Sequence, residues 1–340
     1  MEESEIARIS LQISEAYVSK RMKLKRKNQP ESQASLQFKS KLLSSIALIK
    51  KHGDMDLQDY VRELIPIEDL HTEAFNLLNS TDNPHANKGF EFNLVIGLLG
   101  WFKSFFKWTN SPQCAACGQA TTNIGTTMPN EQESSNDASR TEIFKCSSIT
   151  CLAITRFPRY NNPRILFSTR TGRCGEYANA FAVVCRTMGL QTRYVLDFTD
   201  HVWVEFYSEH LGRWIHADSC EGRDAIDCPL MYESGWGKKL TYVIAFGDYE
   251  VVDVTRRYSA KYCECLDRRT TVNEVWLLLL LQELNENVCA PISLEMIQQI
   301  KIMTVKEQIE LAITQPLSSQ IGGRQSGSIE WRTARNEMGN

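Results

Sequence analysis

Apolar residues recur every three or four positions over about 31–52, at Leu36, Leu42, Leu43, Ile46 and Ile49, a spacing that predicts an amphipathic helix. A denser stripe over 90–108, with Phe92, Leu94, Val95, Leu98, Leu99, Trp101, Phe102, Phe105 and Trp108, predicts a second one. Residues 1–27 also read as helical, and Asn28, Gln29 and Pro30 break them from the helix over 31–52. Between 110 and 145 the chain turns polar and rich in Ser, Thr and Asn, and reads as a loop-rich insertion. A helix mixed with strand-like alternation is expected over 165–258, and helix again over 271–315. The apolar run 275–281 is too short to span a bilayer and predicts a buried helix segment. The tail from Pro316, with Gly322, Gly323 and Gly327, reads as extended. No internal repeat is present.

Within 165–258 the pattern places three reactive side chains. A loop runs into a helix whose apolar side carries Ala178, Phe181, Ala182, Cys185 and Met188, with Gly189 at its end. Cys174 therefore stands at the helix N-terminus, where free backbone N–H groups and the helix dipole favour a thiolate. Downstream, His201 to Tyr207 alternate as a strand: Val202, Val204 and Phe206 on one face, His201, Trp203, Glu205 and Tyr207 on the other. A turn over 208–213 leads to a second strand, Trp214 to Asp218. A hairpin centred between 209 and 210 sets His201 opposite Asp218, Trp203 opposite His216 and Glu205 opposite Trp214. A one-residue slip would undo that pairing.

Composition narrows the class. The chain has 340 residues, 42% hydrophobic, with formal net charge -3, which indicates a folded protein with no global pull toward nucleic acid or an anionic membrane. The basic run from Lys20 to Lys27 reads as a solvated helix face or tail, with nuclear targeting as the alternative. No apolar signal stretch opens the sequence, and its 11 cysteines are an odd number, so a reducing compartment is expected. Cys114 and Cys117 form one short-spaced pair, Cys146 and Cys151 another, and two such pairs can enclose one structural zinc ion. Unpaired structural cysteines and a redox dithiol are the alternatives.

Cys174, His201 and Asp218 together predict nucleophilic amide chemistry: a thiol, an imidazole to move its proton, and a carboxylate to hold the imidazole. The same set would serve a transglutaminase or a cysteine peptidase. Trp203 and Trp214, with Trp236, read either as core or as platforms for the apolar face of a sugar.

The segments 155–162, 172–176, 199–203, 213–221, 235–246, 253–258 and 322–328 carry a resemblance. They resemble the cytoplasmic peptide:N-glycanase family of the transglutaminase-like superfamily, in order, from about residue 60 to the C-terminus. The resemblance implies an α+β, papain-like cysteine hydrolase core with a four-cysteine zinc subdomain and helical N- and C-terminal extensions. On this sequence the parts fall at 1–52 (helical extension, partner-binding), 53–109 (helical part of the core), 110–160 (zinc subdomain), 161–270 (catalytic core) and 271–340 (C-terminal helices and tail). It implies cleavage of the bond between an asparagine side-chain amide and N-acetylglucosamine, with Cys174, His201 and Asp218 as triad. It further implies Trp203, Trp214, Glu221 and Trp236 as a groove for the chitobiose core, and Cys114, Cys117, Cys146 and Cys151 as ligands of one zinc ion. Misfolded N-glycoproteins are the implied substrates, in the cytoplasm, with the nucleus as a second location. A ubiquitin-receptor shuttle leading to the proteasome is the implied partner of the N-terminal helix, with no nucleic acid and no membrane span. The length matches the short, fungal-type members. Three positions depart from the family: Cys146 is displaced by two extra residues, Tyr177 stands where tryptophan is common, and Ser219 replaces a proline. The rival of a different class is a non-catalytic scaffold of the same fold, which retention of all three triad residues argues against.

Overall fold

The computed structural model describes residues 32–313, 322–335 and 337–339. The helix expected over 1–27 and its basic run lie outside these residues. The first described helix, α1 (Gln33–His52), is capped by Ser32, whose hydroxyl accepts from the Ser35 N–H at 3.1 Å. Phe38, Leu42, Ile49 and His52 are buried on one side of it, and Phe38 stacks on Phe198 at 4.2 Å. Its inner side is thus built into the core. Helices α2 (Met55–Arg62) and α3 (Ile67–Asn79) come next, then α4 (Phe90–Phe105), which is buried on most sides. Its expected end at 108 is corrected: a short strand, β1 (Lys107–Trp108), pairs with β5 (Thr171–Gly172) beside the nucleophile.

The segment expected as a loop-rich insertion is instead a three-stranded antiparallel sheet: β2 (Thr121–Thr127), β3 (Ala138–Cys146) and β4 (Ile154–Tyr160). A five-residue helix, α5 (Glu131–Ser135), joins the first two strands. The sheet was hidden because β2 buries only Thr121 and so shows no apolar alternation. Its threonines nevertheless suit a strand, being β-branched.

Helices α6 (Pro163–Thr169) and α7 (Cys174–Thr187) lead into a five-stranded antiparallel sheet in the order β10-β9-β6-β7-β8. These strands are β6 (Thr192–Asp197), β7 (His201–Ser208), β8 (Arg213–Ala217), β9 (Val243–Phe246) and β10 (Val251–Asp253). Both faces are covered. Val202, Val204, Phe206, Ile215 and Ala217 join the core shared with α7 and the N-terminal helices. Val195, Trp203 and Ala245 face a second cluster with Tyr232, Trp236 and Tyr258.

After β10 come the short helices α8 (Thr255–Tyr258) and α9 (Tyr262–Arg268), then α10 (Glu274–Cys289) and α11 (Leu294–Ile313). Glu307 of α11 reaches the buried Arg193 of β6 at 2.8 and 2.9 Å, and that guanidinium also takes Glu250 at 2.6 Å. The tail is not extended: α12 (Ile329–Ala334) folds back, and Arg324 and Ser326 are buried. Among the described residues no helix is long and apolar enough to cross a membrane.

Candidate active site

Cys174 is the first residue of α7, as its sequence position predicts. The Glu176 carboxylate reaches back to accept the Arg173 N–H at 2.9 Å, closing the helix start. Gly172 is required there, because a Cβ at this position would lie 2.4 Å from the Cβ of Glu176. Where a side chain at Gly175 would stand there is open space, and the half-buried Cys174 and Gly175 border a cleft of about 240 Å³. Lys41 and Leu48 of α1, Tyr160 at the end of β4, Asn161 just after it, and Leu196 are among its other lining residues. Lys41, Leu48, Asn161, Tyr194 and Leu196 also line a neighbouring hollow of about 350 Å³, so the opening continues along α1.

His201 begins β7 and Asp218 directly follows β8. The hairpin register differs from the expected one by two residues: Glu205 pairs with His216, Tyr207 with Trp214 and Ser208 with Arg213. Four residues form the loop, its Leu211 N–H donating to the Ser208 hydroxyl at 3.2 Å, so the centre lies one residue later than expected. A shift of two keeps every side chain on its expected face. Asp218 turns away from the strand, its Oδ1 accepting the Cys220 N–H at 2.8 Å, and its Oδ2 meets His201 Nε2 at 2.7 Å. Neither side chain is exposed to solvent.

The other ring nitrogen, Nδ1, lies on the side of the ring away from Asp218, and Cys174 and His201 border the same cleft. Burial alone would raise the thiol pKa, but the hydrogen bond and charge of His201, with the Arg324 guanidinium, bring it below its usual value. Burial likewise disfavours the imidazolium, yet Asp218 outweighs it and raises His201. Burial works against the ionised Asp218 too, and the His201 charge and hydrogen bond hold it well below the carboxylate range.

The tail supplies a residue that the sequence reading did not assign. Arg324 is fully buried; its Nη2 lies 3.4 Å from His201 Nδ1 and its Nη1 donates to Glu337 at 2.9 Å. Its guanidinium carbon stands over the Trp331 ring at 4.5 Å and the Trp236 ring at 4.7 Å. The signal was the segment 322–328, which carried a resemblance but no reactive pattern of its own.

The residues that the resemblance implies as the chitobiose groove are enclosed in this structure. Trp203 and Trp236 are 0% and 1% exposed and Trp214 is 4% exposed, beneath Arg193 at 3.7 Å. Glu221 accepts the Gln325 and Ser326 N–H groups at 2.7 and 3.1 Å, and so anchors the tail. None of the four lines the cleft at Cys174. The sheet is covered on both faces, and Trp203 and Trp236 sit in the cluster on its second face.

Cys114, Cys117, Cys146 and Cys151 converge at the end of β3, all four sulfurs within 4.8 Å of one another. Cys114 and Cys151 are separated by 3.8 Å, Cys117 and Cys146 by 3.5 Å. Four thiolates about 2.3 Å from one ion would lie about 3.8 Å apart at tetrahedral geometry, so the set fits a closed metal site. Gly118, at φ +72, makes the tight turn after the first pair, its N–H donating to the Cys114 carbonyl at 2.8 Å. The two extra residues before Cys151 are absorbed in the turn after β3, so Cys146 stands with the other three.

The chain matches two family models, the Transglutaminase-like superfamily over residues 121–219 and the Rad4 transglutaminase-like domain over 196–296. It is similar to proteins named peptide-N(4)-(N-acetyl-beta-glucosaminyl)asparagine amidase. The one from Arabidopsis thaliana is 39% identical over 308 residues, covering 89% of this chain and 42% of that protein. The one from Homo sapiens is 41% identical over 305 residues, covering 88% and 46%. The one from Yarrowia lipolytica is 39% identical over 310 residues, covering 88% and 84%. The chain thus spans less than half the length of the plant and human relatives and most of the yeast one.

Proposed function

Because the chain belongs to the peptide-N(4)-(N-acetyl-beta-glucosaminyl)asparagine amidase family, we propose that it hydrolyses the bond between an asparagine side-chain amide and N-acetylglucosamine. The observation that carries this reading is the placement of Cys174. It stands at a helix N-terminus on the rim of an open cleft, beside a His201 whose far nitrogen is fixed by Asp218 at 2.7 Å. The Cys174 sulfur attacks the asparagine side-chain carbonyl carbon while His201 Nδ1 takes the thiol proton. That proton passes to the glycan-bearing nitrogen as the C–N bond breaks, leaving a thioester on Cys174. Water then attacks the thioester, gives a proton to His201 Nδ1, and releases aspartate as the proton returns to sulfur. The departing glycosylamine hydrolyses to free sugar and ammonia.

The substrate enters along the cleft between α1 and the end of β4, where Tyr160 and Asn161 offer a ring face and an amide. The ion at the four cysteines is zinc, a metal that thiolates bind tetrahedrally and that has no redox chemistry to perform in a closed site. Misfolded N-glycoproteins in the cytoplasm, and in the nucleus as well, are the substrates this reading supports. A ubiquitin-receptor shuttle is the partner it assigns to the N-terminal segment, which begins outside the described residues.

The test is incubation with a denatured N-glycoprotein. Conversion of the glycosylated asparagine to aspartate with glycan release is expected, and Cys174→Ala should lower the rate at least a thousandfold without altering the fold. Proteolysis or amine incorporation with no sugar released would overturn the reading.

A further inference from the structure

The geometry points to Tyr232, held from behind by His216, as a positioning brace that fixes the Asp218 carboxylate against His201 Nε2. It rests on the proposed reaction only in that His201 serves Cys174. Tyr232 lies in a π-helical turn, Met231–Gly235, on the second face of the sheet. Its hydroxyl is 3.0 Å from Asp218 Oδ2, the same oxygen that His201 Nε2 meets at 2.7 Å. On its other side the hydroxyl is 2.7 Å from His216 Nε2, and the Cys228 N–H donates to His216 Nδ1 at 3.4 Å.

The proton directions along this relay are set by the chemistry of each group. The backbone N–H of Cys228 can only donate, so His216 Nδ1 is the acceptor and its proton sits on Nε2. Burial keeps His216 neutral, its pKa lowered to about 4. Its Nε2–H donates to the Tyr232 oxygen, which leaves the Tyr232 hydroxyl proton for Asp218. An ionised carboxylate accepts only, so His201 must present an Nε2–H to Asp218. His201 Nδ1 then carries the lone pair, which the donor-only Arg324 Nη2 at 3.4 Å also requires. Every donor and acceptor in the relay is assigned in one sense, and reversing any link leaves a buried group unpaired, at a cost of about 1–3 kcal/mol.

The surroundings hold the brace still. Trp203 stacks on Tyr232 with centroids 4.2 Å apart, and Trp236 meets it edge-on at 5.0 Å. These enclosed indoles fix the ring that fixes Asp218. Tyr232, His216 and Asp218 are all essentially without solvent exposure, so no water replaces a lost partner.

The experiment compares Tyr232→Phe, His216→Leu, His216→Gln and the double variant Y232F/H216L. The pH midpoint of Cys174 alkylation by iodoacetamide is read on the Cys174 peptide by mass spectrometry, alongside kcat, KM and melting temperature. Without the brace the Asp218 carboxylate can turn away from His201 Nε2, which weakens the charge support that lets His201 hold the thiol proton. The midpoint should therefore rise by about one pH unit in Y232F and H216L, the size of a lost hydrogen bond. kcat should fall about tenfold with KM unchanged within about twofold. Gln at 216 keeps an N–H for the tyrosine oxygen and should recover most of the loss. The double variant should be no worse than either single one, since both break the same relay. Y232F removes one oxygen, so it tests the brace even where H216L does not fold. An unmoved midpoint in Y232F, or losses that add in the double variant, would overturn the proposal. A wild-type protein that releases no glycan would instead sink the proposed reaction, and the alkylation series would still report on the brace.

Discussion

Arg159 grips both oxygens of Glu176, Nε to Oε1 at 2.6 Å and Nη2 to Oε2 at 2.7 Å. Arg159 belongs to β4 of the small three-stranded sheet beside the four cysteines, and Glu176 sits two residues beyond Cys174. The remaining Arg159 nitrogen reaches Glu142 of β3 at 2.9 Å, and Glu142 in turn takes Arg173 at 2.7 and 3.1 Å. Burial pushes the Glu142 carboxyl up, but the two guanidinium groups outweigh it and hold it down. The small sheet is therefore the clamp that positions the nucleophile. Arg159→Met should strand Glu176 without its partner and cost about 3–5 kcal/mol of stability. Calorimetry should show that loss together with a fall in kcat, while metal content stays at the wild-type value. Unchanged kcat would mean that the nucleophile is held by its own helix alone.

That clamp explains where the sequence was legible and where it was not. Cys174 was readable because a helix with a clear apolar side has a visible start. His201 and Asp218 were readable because alternation fixes faces, and a register shift of two residues preserves them. The convergence of Cys114, Cys117, Cys146 and Cys151 was legible in their paired spacing. The sheet beside them was not, since β2 lies open to solvent and leaves no apolar alternation. Arg324 was hidden for a different reason: its partners His201 and Glu337 are distant in sequence or polar, and no periodicity encodes such a contact. Trp203 was placed on the correct face, but alternation says nothing of Tyr232 and Tyr258 covering it.

The lowered thiol and raised imidazole define a pH window. Cys174 loses its proton below the ordinary thiol value of about 8.5, and His201 keeps its proton above the ordinary imidazole value of about 6.5. Both shifts favour the thiolate–imidazolium pair, so kcat/KM should follow a bell whose acid limb reflects the thiol. Asp218→Asn removes the charge that raises His201, so the imidazolium should lose its proton at lower pH and the alkaline limit of the pair should fall. Turnover should drop about ten-thousandfold through loss of the tautomer preference. The alkylation rate of Cys174 as a function of pH checks the limits, and a wild-type profile in D218N would contradict the assignment.

Arg324 lies beside both members of that pair and acts on them oppositely, favouring the thiolate and disfavouring the imidazolium. Arg324→Gln keeps hydrogen-bonding capacity and removes the charge. The alkylation midpoint of Cys174 should move to higher pH, with kcat lower by about tenfold, the scale of one lost electrostatic contact near 1.4 kcal/mol. Glu337 loses the Arg324 guanidinium at 2.9 Å but keeps Arg335 at 3.1 Å, so Glu337→Gln on top of Arg324→Gln should recover part of the stability but not the midpoint. A midpoint restored by the second change would place the effect in the folding of the tail.

Each of the four cysteines should contribute to metal binding, because their sulfurs are mutually close. Cys146→Ser is the sharpest case, given its displaced spacing. Metal content and melting temperature should fall together, as for Cys114→Ser, since a closed thiolate site contributes directly to folding free energy. Elemental analysis of each purified variant, read beside its thermal transition, decides the matter. Full metal content in C146S would mean that another group completes the site.

Sugar specificity separates the cleft from the enclosed tryptophans. If a glycan-linked asparagine approaches Cys174 along the cleft, free chitobiose should inhibit deglycosylation and lactose should not. Tyr160→Ala should weaken that inhibition, because Tyr160 lines the cleft and a ring face can cover the C–H surface of a pyranose. Trp214 touches no part of the cleft and lies under Arg193 within the Glu205, Glu250 and Glu307 cluster. Trp214→Ala should therefore cost about 3–5 kcal/mol of stability, as large core truncations do, and leave chitobiose inhibition of the surviving folded protein unchanged. Inhibition constants measured for both sugars on wild type and the two variants, below each variant's melting transition, make the comparison. Weakened inhibition in W214A with none in Y160A would return the sugar to the tryptophan side and require the tail at Glu221 to move aside. Equal, weak effects of both sugars on the wild type would withdraw glycan recognition from the cleft altogether.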